Sequence, residues 1–117
     1  MTPVVMVVTV AMGALGALVR WGIGLLLPTA PWWSLAIVNT LGSTVVGVLA
    51  GLPETPWTYP VMMGFAGGLT TFSALAIMMV PEHTSAQARR ILAPLALHIV
   101  IAVAACAGGF IIARALL

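Results

Sequence analysis

Four apolar stretches, each long enough to cross a lipid bilayer, fill almost the whole chain, with short proline-bearing breaks between them. They run approximately Val4–Leu27, Trp33–Leu52, Tyr59–Val80 and Ile91–Leu116, and the breaks are Pro28–Trp32, Pro53–Thr58 and Pro81–Arg90. A spanning helix needs about 20 mainly apolar residues, and a proline ends one readily because it lacks an N–H and crowds the preceding turn. The pattern predicts an all-α membrane protein whose residues 1–117 form a single four-helix transmembrane domain. Composition agrees: 62% of residues are hydrophobic and 5% charged, with a mean hydropathy of +1.22, more apolar than a soluble domain of this size carries.

The formal charge of +2 rests on four arginines and two acids, too little for the basic footprint of a nucleic-acid binder. The single cysteine, Cys106, lies inside an apolar run and reads as a small hydrophobe. Met1–Met6 lacks the positive region of a secretory signal and the apolar run after it is too long for one, so the first segment is expected to be a retained membrane helix. Most of the charge sits in the breaks, as Glu54, Glu82, Arg89 and Arg90. Trp32 and Trp33 flank the first break and Trp57 and Tyr59 the second, where amphipathic rings anchor at headgroup level. Four spans place both termini on one side. Arg89 and Arg90, offset by Glu82, favour one sense of insertion and Arg114 the other, so the positive-inside bias is weak. No internal repeat supplies inverted symmetry within one chain; if function needs it, two antiparallel copies must provide it.

In the second segment Asn39, Ser43, Gly47 and Gly51 recur every fourth residue and so share one helix face. Small residues at that spacing allow close backbone approach, whether as a packing seam or as a pore wall. Gly13 and Ala17, Gly64 and Gly68, and Gly108 and Gly109 repeat the theme. Asn39 is a separate case: an amide at membrane depth must either tie two helices together or face a wet cavity.

The third segment contains Gly-Gly-Leu-Thr-Thr-Phe-Ser, Gly67 to Ser73. Glycine costs backbone entropy in a helix, and hydroxyl side chains compete for backbone partners, so this run invites unwinding. Unwound carbonyls at bilayer depth are tolerated where they hold a cation or line a cavity. The same residues also suit a continuous helix with a small packing face and hydroxyls bonded back one turn.

Three blocks, Gly13–Trp21 (GALGALVRW), Val38–Gly47 (VNTLGSTVVG) and Gly64–Ser73 (GFAGGLTTFS), resemble the signatures of the Fluc/CrcB fluoride channels in order and spacing. The resemblance covers all four segments. It implies a third helix broken at mid-membrane and an antiparallel, dual-topology dimer in the cytoplasmic membrane. That dimer would conduct fluoride through two pores, with a structural sodium ion at its centre. The backbone carbonyls of Gly67 and Thr70 match the family's sodium ligands, and carbonyl oxygens are hard donors suited to a small alkali cation. Asn39 matches the pore asparagine, Phe72 the first pore phenylalanine and Arg20 the arginine of the aqueous vestibule, while Thr71 and Ser73 offer hydroxyls nearby. A phenyl edge is positive and can meet a dehydrated anion, although without the resemblance Phe72 reads first as a core aromatic. Arg20 alone would read as a snorkelling charge. Ser43 and His98 are further pore-lining candidates, His98 alternatively bonding a neighbour.

The chain departs from the family pattern at Leu75, where a second phenylalanine is usual, at the intervening Ala74, and at Thr44, where an aromatic is common. Leu75 has no ring edge, which raises a paralogous partner subunit, or one inactive pore, beside a homodimer. Conduction itself needs no coupling residue, because a negative interior drives the anion out. A proton-coupled multidrug exporter is the rival from another class. It needs a carboxylate inside the membrane, and Glu54 and Glu82 lie in breaks. A non-conducting assembly subunit is a third possibility. Paired carboxylates, Cys/His metal spacing, a nucleophile with its base and phosphate-binding loops are all missing from the sequence, so an enzyme is not expected.

Overall fold

A computed structural model describes the backbone of residues 2–78 and 85–117 and the side chains of 2–78 and 92–117. Met79, Val80, Glu82 and His83, placed above in the third span and the break after it, lie outside the described residues.

Prolines set the starts of the first three spans. Helix α1 (Pro3–Leu26) opens with Pro3 in its first turn, where a missing N–H leaves no bond unmade, and Thr2 Oγ1 caps it by accepting the Val5 N–H at 3.4 Å. Helix α2 (Pro31–Gly51) opens on Pro31. The third span, Pro60–Met78, has three parts: a π-helical segment Pro60–Ala66, a single turn α3 (Gly67–Leu69), and α4 (Ser73–Met78). Thr70, after α3, is extended at φ −77° and ψ 154°. Helix α5 (Ser85–Ala115) closes the chain. Among the described residues four helices are long and apolar enough to cross a membrane, at Pro3–Leu26, Pro31–Gly51, Pro60–Met78 and Leu92–Ala115. This makes the chain a multi-pass membrane protein, 49 Å along its longest axis, which spans a bilayer with its headgroups.

The last helix begins earlier than the sequence suggests. Pro81–Arg90 reads as a break, yet the backbone is helical from Ser85. Ala86, Gln87, Ala88, Arg89 and Arg90 are good helix formers, so α5 continues past its apolar part.

Two packed pairs make up the fold: α1 lies along the π-helical segment and α3, and α2 lies along α5. Missing side chains let both pairs close. A Cβ at Gly68 would overlap the Gly13 carbonyl, and one at Gly47 would overlap the carbonyl of Cys106. The buried apolar set is small, comprising Leu35, Val38, Ala66, Leu69, Leu75 and Ala113. Most large apolar side chains face outward, as they should where the surrounding solvent is hydrocarbon.

Candidate functional site

Between α3 and α4 the main chain gives up its own hydrogen bonds and side chains take them over. Inside a helix the Thr71 N–H would return to Gly67; here it donates to Asn39 Oδ1 at 2.8 Å. Asn39 Nδ2 in turn donates to the Thr71 carbonyl at 3.3 Å. One amide from α2 thus replaces both backbone partners of Thr71, which is the tie between helices that its depth required. The Ala74 N–H, which would return to Thr70, donates to Thr71 Oγ1 at 3.3 Å, and Thr71 Oγ1 also lies 3.2 Å from Ser73 Oγ. The Thr70 carbonyl therefore lacks a main-chain donor and accepts from Arg20 Nη1 at 3.2 Å. Thr70 closes α3 from behind, its N–H and its hydroxyl both donating to the Ala66 carbonyl at 3.0 Å.

These substitutions shape an open-sided groove of about 280 Å³. It gathers most of the expected pore residues: Asn39 and Ser43 from α2, Thr70, Thr71 and Phe72 from the stretch before α4, Leu75 from α4, and His98 from α5. Leu75 is almost wholly buried at 3% exposure, whereas Phe72 is 67% exposed and turned away from the chain's own core. Ser73 is exposed beside Thr71. His98 sits between two carbonyls, with Nδ1 2.8 Å from that of Pro94 and Nε2 3.2 Å from that of Trp32, and a neutral ring donates to one of them. Its ring sits 5.6 Å from the Trp32 ring at a 54° tilt. It therefore lines the groove and also bonds a neighbour. Among the described residues no carboxylate lines the groove, and Glu54 is exposed in the loop after α2. The polar groups offered to a guest are neutral amide and hydroxyl donors.

A second groove of about 200 Å³ adjoins the first through Ser43 and Thr70 and includes Gly67 and Cys106. Gly67 is exposed, and a Cβ built on it would meet nothing within 4 Å. The two carbonyls expected to hold a cation belong to Gly67, which is exposed, and Thr70, which is half-buried. Their donor set fits a hard monovalent ion: Gly67 has lost its Thr71 partner, and Thr70 keeps one lone pair beyond its bond to Arg20. Arg20, expected at an aqueous mouth, is half-buried here against Thr70.

Some of the site escaped the sequence. Ile99, Ala102 and Val103 complete the wall beside His98. The i, i+4 spacing of Ala102 from His98 is the one signal that could have found any of them.

The family described as CrcB-like protein, Camphor Resistance (CrcB), matches residues 7–110. A relative from Burkholderia cenocepacia is 39% identical over 121 residues, covering 93% of each chain, and bears the name Fluoride-specific ion channel FluC. One from Burkholderia thailandensis with the same name is 37% identical over 106 residues, covering 80% of this chain and 81% of its own. A match across nearly the full length, with relatives at this identity, places the chain in the CrcB family, a family of ion channels and not of enzymes.

Proposed function

We propose that the chain is a subunit of a fluoride-selective channel that lets the anion leave the cell passively across the cytoplasmic membrane. The observation that carries this reading is the groove at Asn39, Thr71 and Phe72, which is open on one side, presents neutral donors beside an apolar wall, and has no carboxylate among the described residues that line it. Fluoride is small and strongly hydrated, so a pore must replace its water with several donors yet release it. The second Asn39 amide proton and the hydroxyls of Ser43, Thr71 and Ser73 are such donors, and the edge of Phe72 adds a positive rim. The relatives' printed name supplies fluoride as the anion.

The pore is completed by a second copy inserted in the opposite sense. The exposed Phe72 and the open face at Gly67 support this, because both are left accessible at the open grooves of one chain. The Gly67 and Thr70 carbonyls at the interruption of the third span, two from each copy, would hold a structural sodium ion. Its charge would pin the pair together at the interruption. These residues themselves bind, orient and exclude water.

A non-identical partner is the second reading, favoured by Leu75, which lines the groove without a ring edge. Liposomes holding the purified chain alone test both. Fluoride leaving while chloride stays supports the channel, and loss of neither ion contradicts a self-sufficient channel. Flux that appears only with a second, ring-bearing subunit selects the heteromeric form.

A further inference from the structure

Arg20 presents a conflict between its partner and its expected role. Its Nη1 donates to the Thr70 carbonyl from 50 residues away in sequence, and that oxygen is one of the two per chain proposed to hold sodium. We propose that Arg20 is a placeholder for the cation: it satisfies the Thr70 carbonyl in the separate chain and opposes sodium at that oxygen in the assembled pair. The inference rests on the sodium reading above.

The need for a placeholder follows from the local bonding. With the Ala74 N–H committed to Thr71 Oγ1, the Thr70 oxygen would stand without a donor at a depth where lipid offers none. A guanidinium reaching across from α1 meets it. No such donor reaches Gly67, whose oxygen lost its Thr71 partner to Asn39. One of the paired ligands is therefore covered and the other bare, and the covered one carries a positive charge.

A carbonyl has two lone pairs, so Arg20 and a cation do not exclude each other by shape. Charge sets them against each other. Two unit charges about 4 Å apart repel enough to weaken binding about fivefold even in a water-like medium, and by more where water is scarce. Withdrawal of the guanidinium from Thr70 towards water relieves that repulsion and moves Arg20 to the vestibule place that the family resemblance gives it. The same side chain then has two seats, and sodium decides between them.

The test uses the full-length purified chain in detergent, with thermal unfolding followed as sodium chloride replaces N-methylglucamine chloride at constant ionic strength. In Arg20→Gln, which removes the charge and keeps a donor, the sodium concentration for half-maximal protection is expected to fall by about fivefold or more. Arg20→Lys, which keeps the charge, is expected to stay within about twofold of the parent. Arg20→Met, which keeps the aliphatic stem, replaces the Gln variant should that one not fold. An unchanged or higher sodium requirement in the uncharged variant, or a Lys variant shifted as far as Gln, overturns the proposal while leaving the sodium reading in place. If sodium protects the parent no better than N-methylglucamine, the sodium reading fails and this inference fails with it.

Discussion

Two regions of the third span are built from the same small residues and use them differently. Along the seam with α1, Gly64 and Gly68 are glycine because backbone lies where a side chain would be: Cβ atoms there would overlap the carbonyls of Thr9 and Gly13. At Gly67, by contrast, there is room to spare, and a Cβ there touches nothing within 4 Å. The seam explains itself from inside one chain. In the second region main-chain groups rely on Asn39 and Arg20 side chains and Phe72 points outward, and this is the region proposed to meet a second copy. Adjacent glycines thus separate a position that folding requires to be bare, Gly68, from one that is left open and is proposed to serve assembly, Gly67.

Substitutions can break or sharpen this contrast. The largest effect is expected at Gly68→Leu, where a side chain must displace the α1 backbone. A loss of at least about 3 kcal/mol, seen as failure to recover a monodisperse folded protein, is expected. Asn39→Ala comes next, because the N–H and carbonyl of Thr71 both lose their partner; a loss of about 2 kcal/mol in reversible unfolding is expected, together with abolished fluoride flux. Phe72→Ala should leave the stability of the separate chain within about 0.5 kcal/mol, since the ring is exposed. Its fluoride flux from liposomes should nonetheless drop at least about tenfold, a barrier increase of about 1.4 kcal/mol. The smallest effect on the chain itself is expected at Gly67→Ala. Gly67 has helical dihedrals, φ −64° and ψ −38°, so alanine is accepted and gains up to about 1 kcal/mol in sodium-free unfolding. The same variant should lose sodium-dependent pairing, read by cross-linking or by light scattering. A Gly67→Ala chain that pairs as well as the parent would erase the distinction between the two regions.

The four spans were legible because apolar length is a strong signal, and Pro31 and Pro60 mark the starts of two of them. The start of α5 was not, since Ala86 to Arg90 carry helix propensity without apolarity. Polar candidates such as Asn39, Thr71 and His98 stood out against a hydrocarbon background, and the groove brings them together. Ile99, Ala102 and Val103 could not stand out, being apolar residues in an apolar helix. Sequence periodicity could not tell Gly67 from Gly68, because the difference lies in what α1 places opposite each one. Nor does any local pattern link Arg20 to Thr70; that contact exists only once α1 lies against the third span.

The most direct test of the central claim is an experimental density map of the protein assembled in lipid with sodium present. The account predicts two oppositely inserted chains and a peak at their shared axis bounded by the Gly67 and Thr70 carbonyls of both. Chains inserted in the same sense, or a Gly67 carbonyl bonded to the Thr71 N–H of its own uninterrupted helix with no ion beside it, would contradict it.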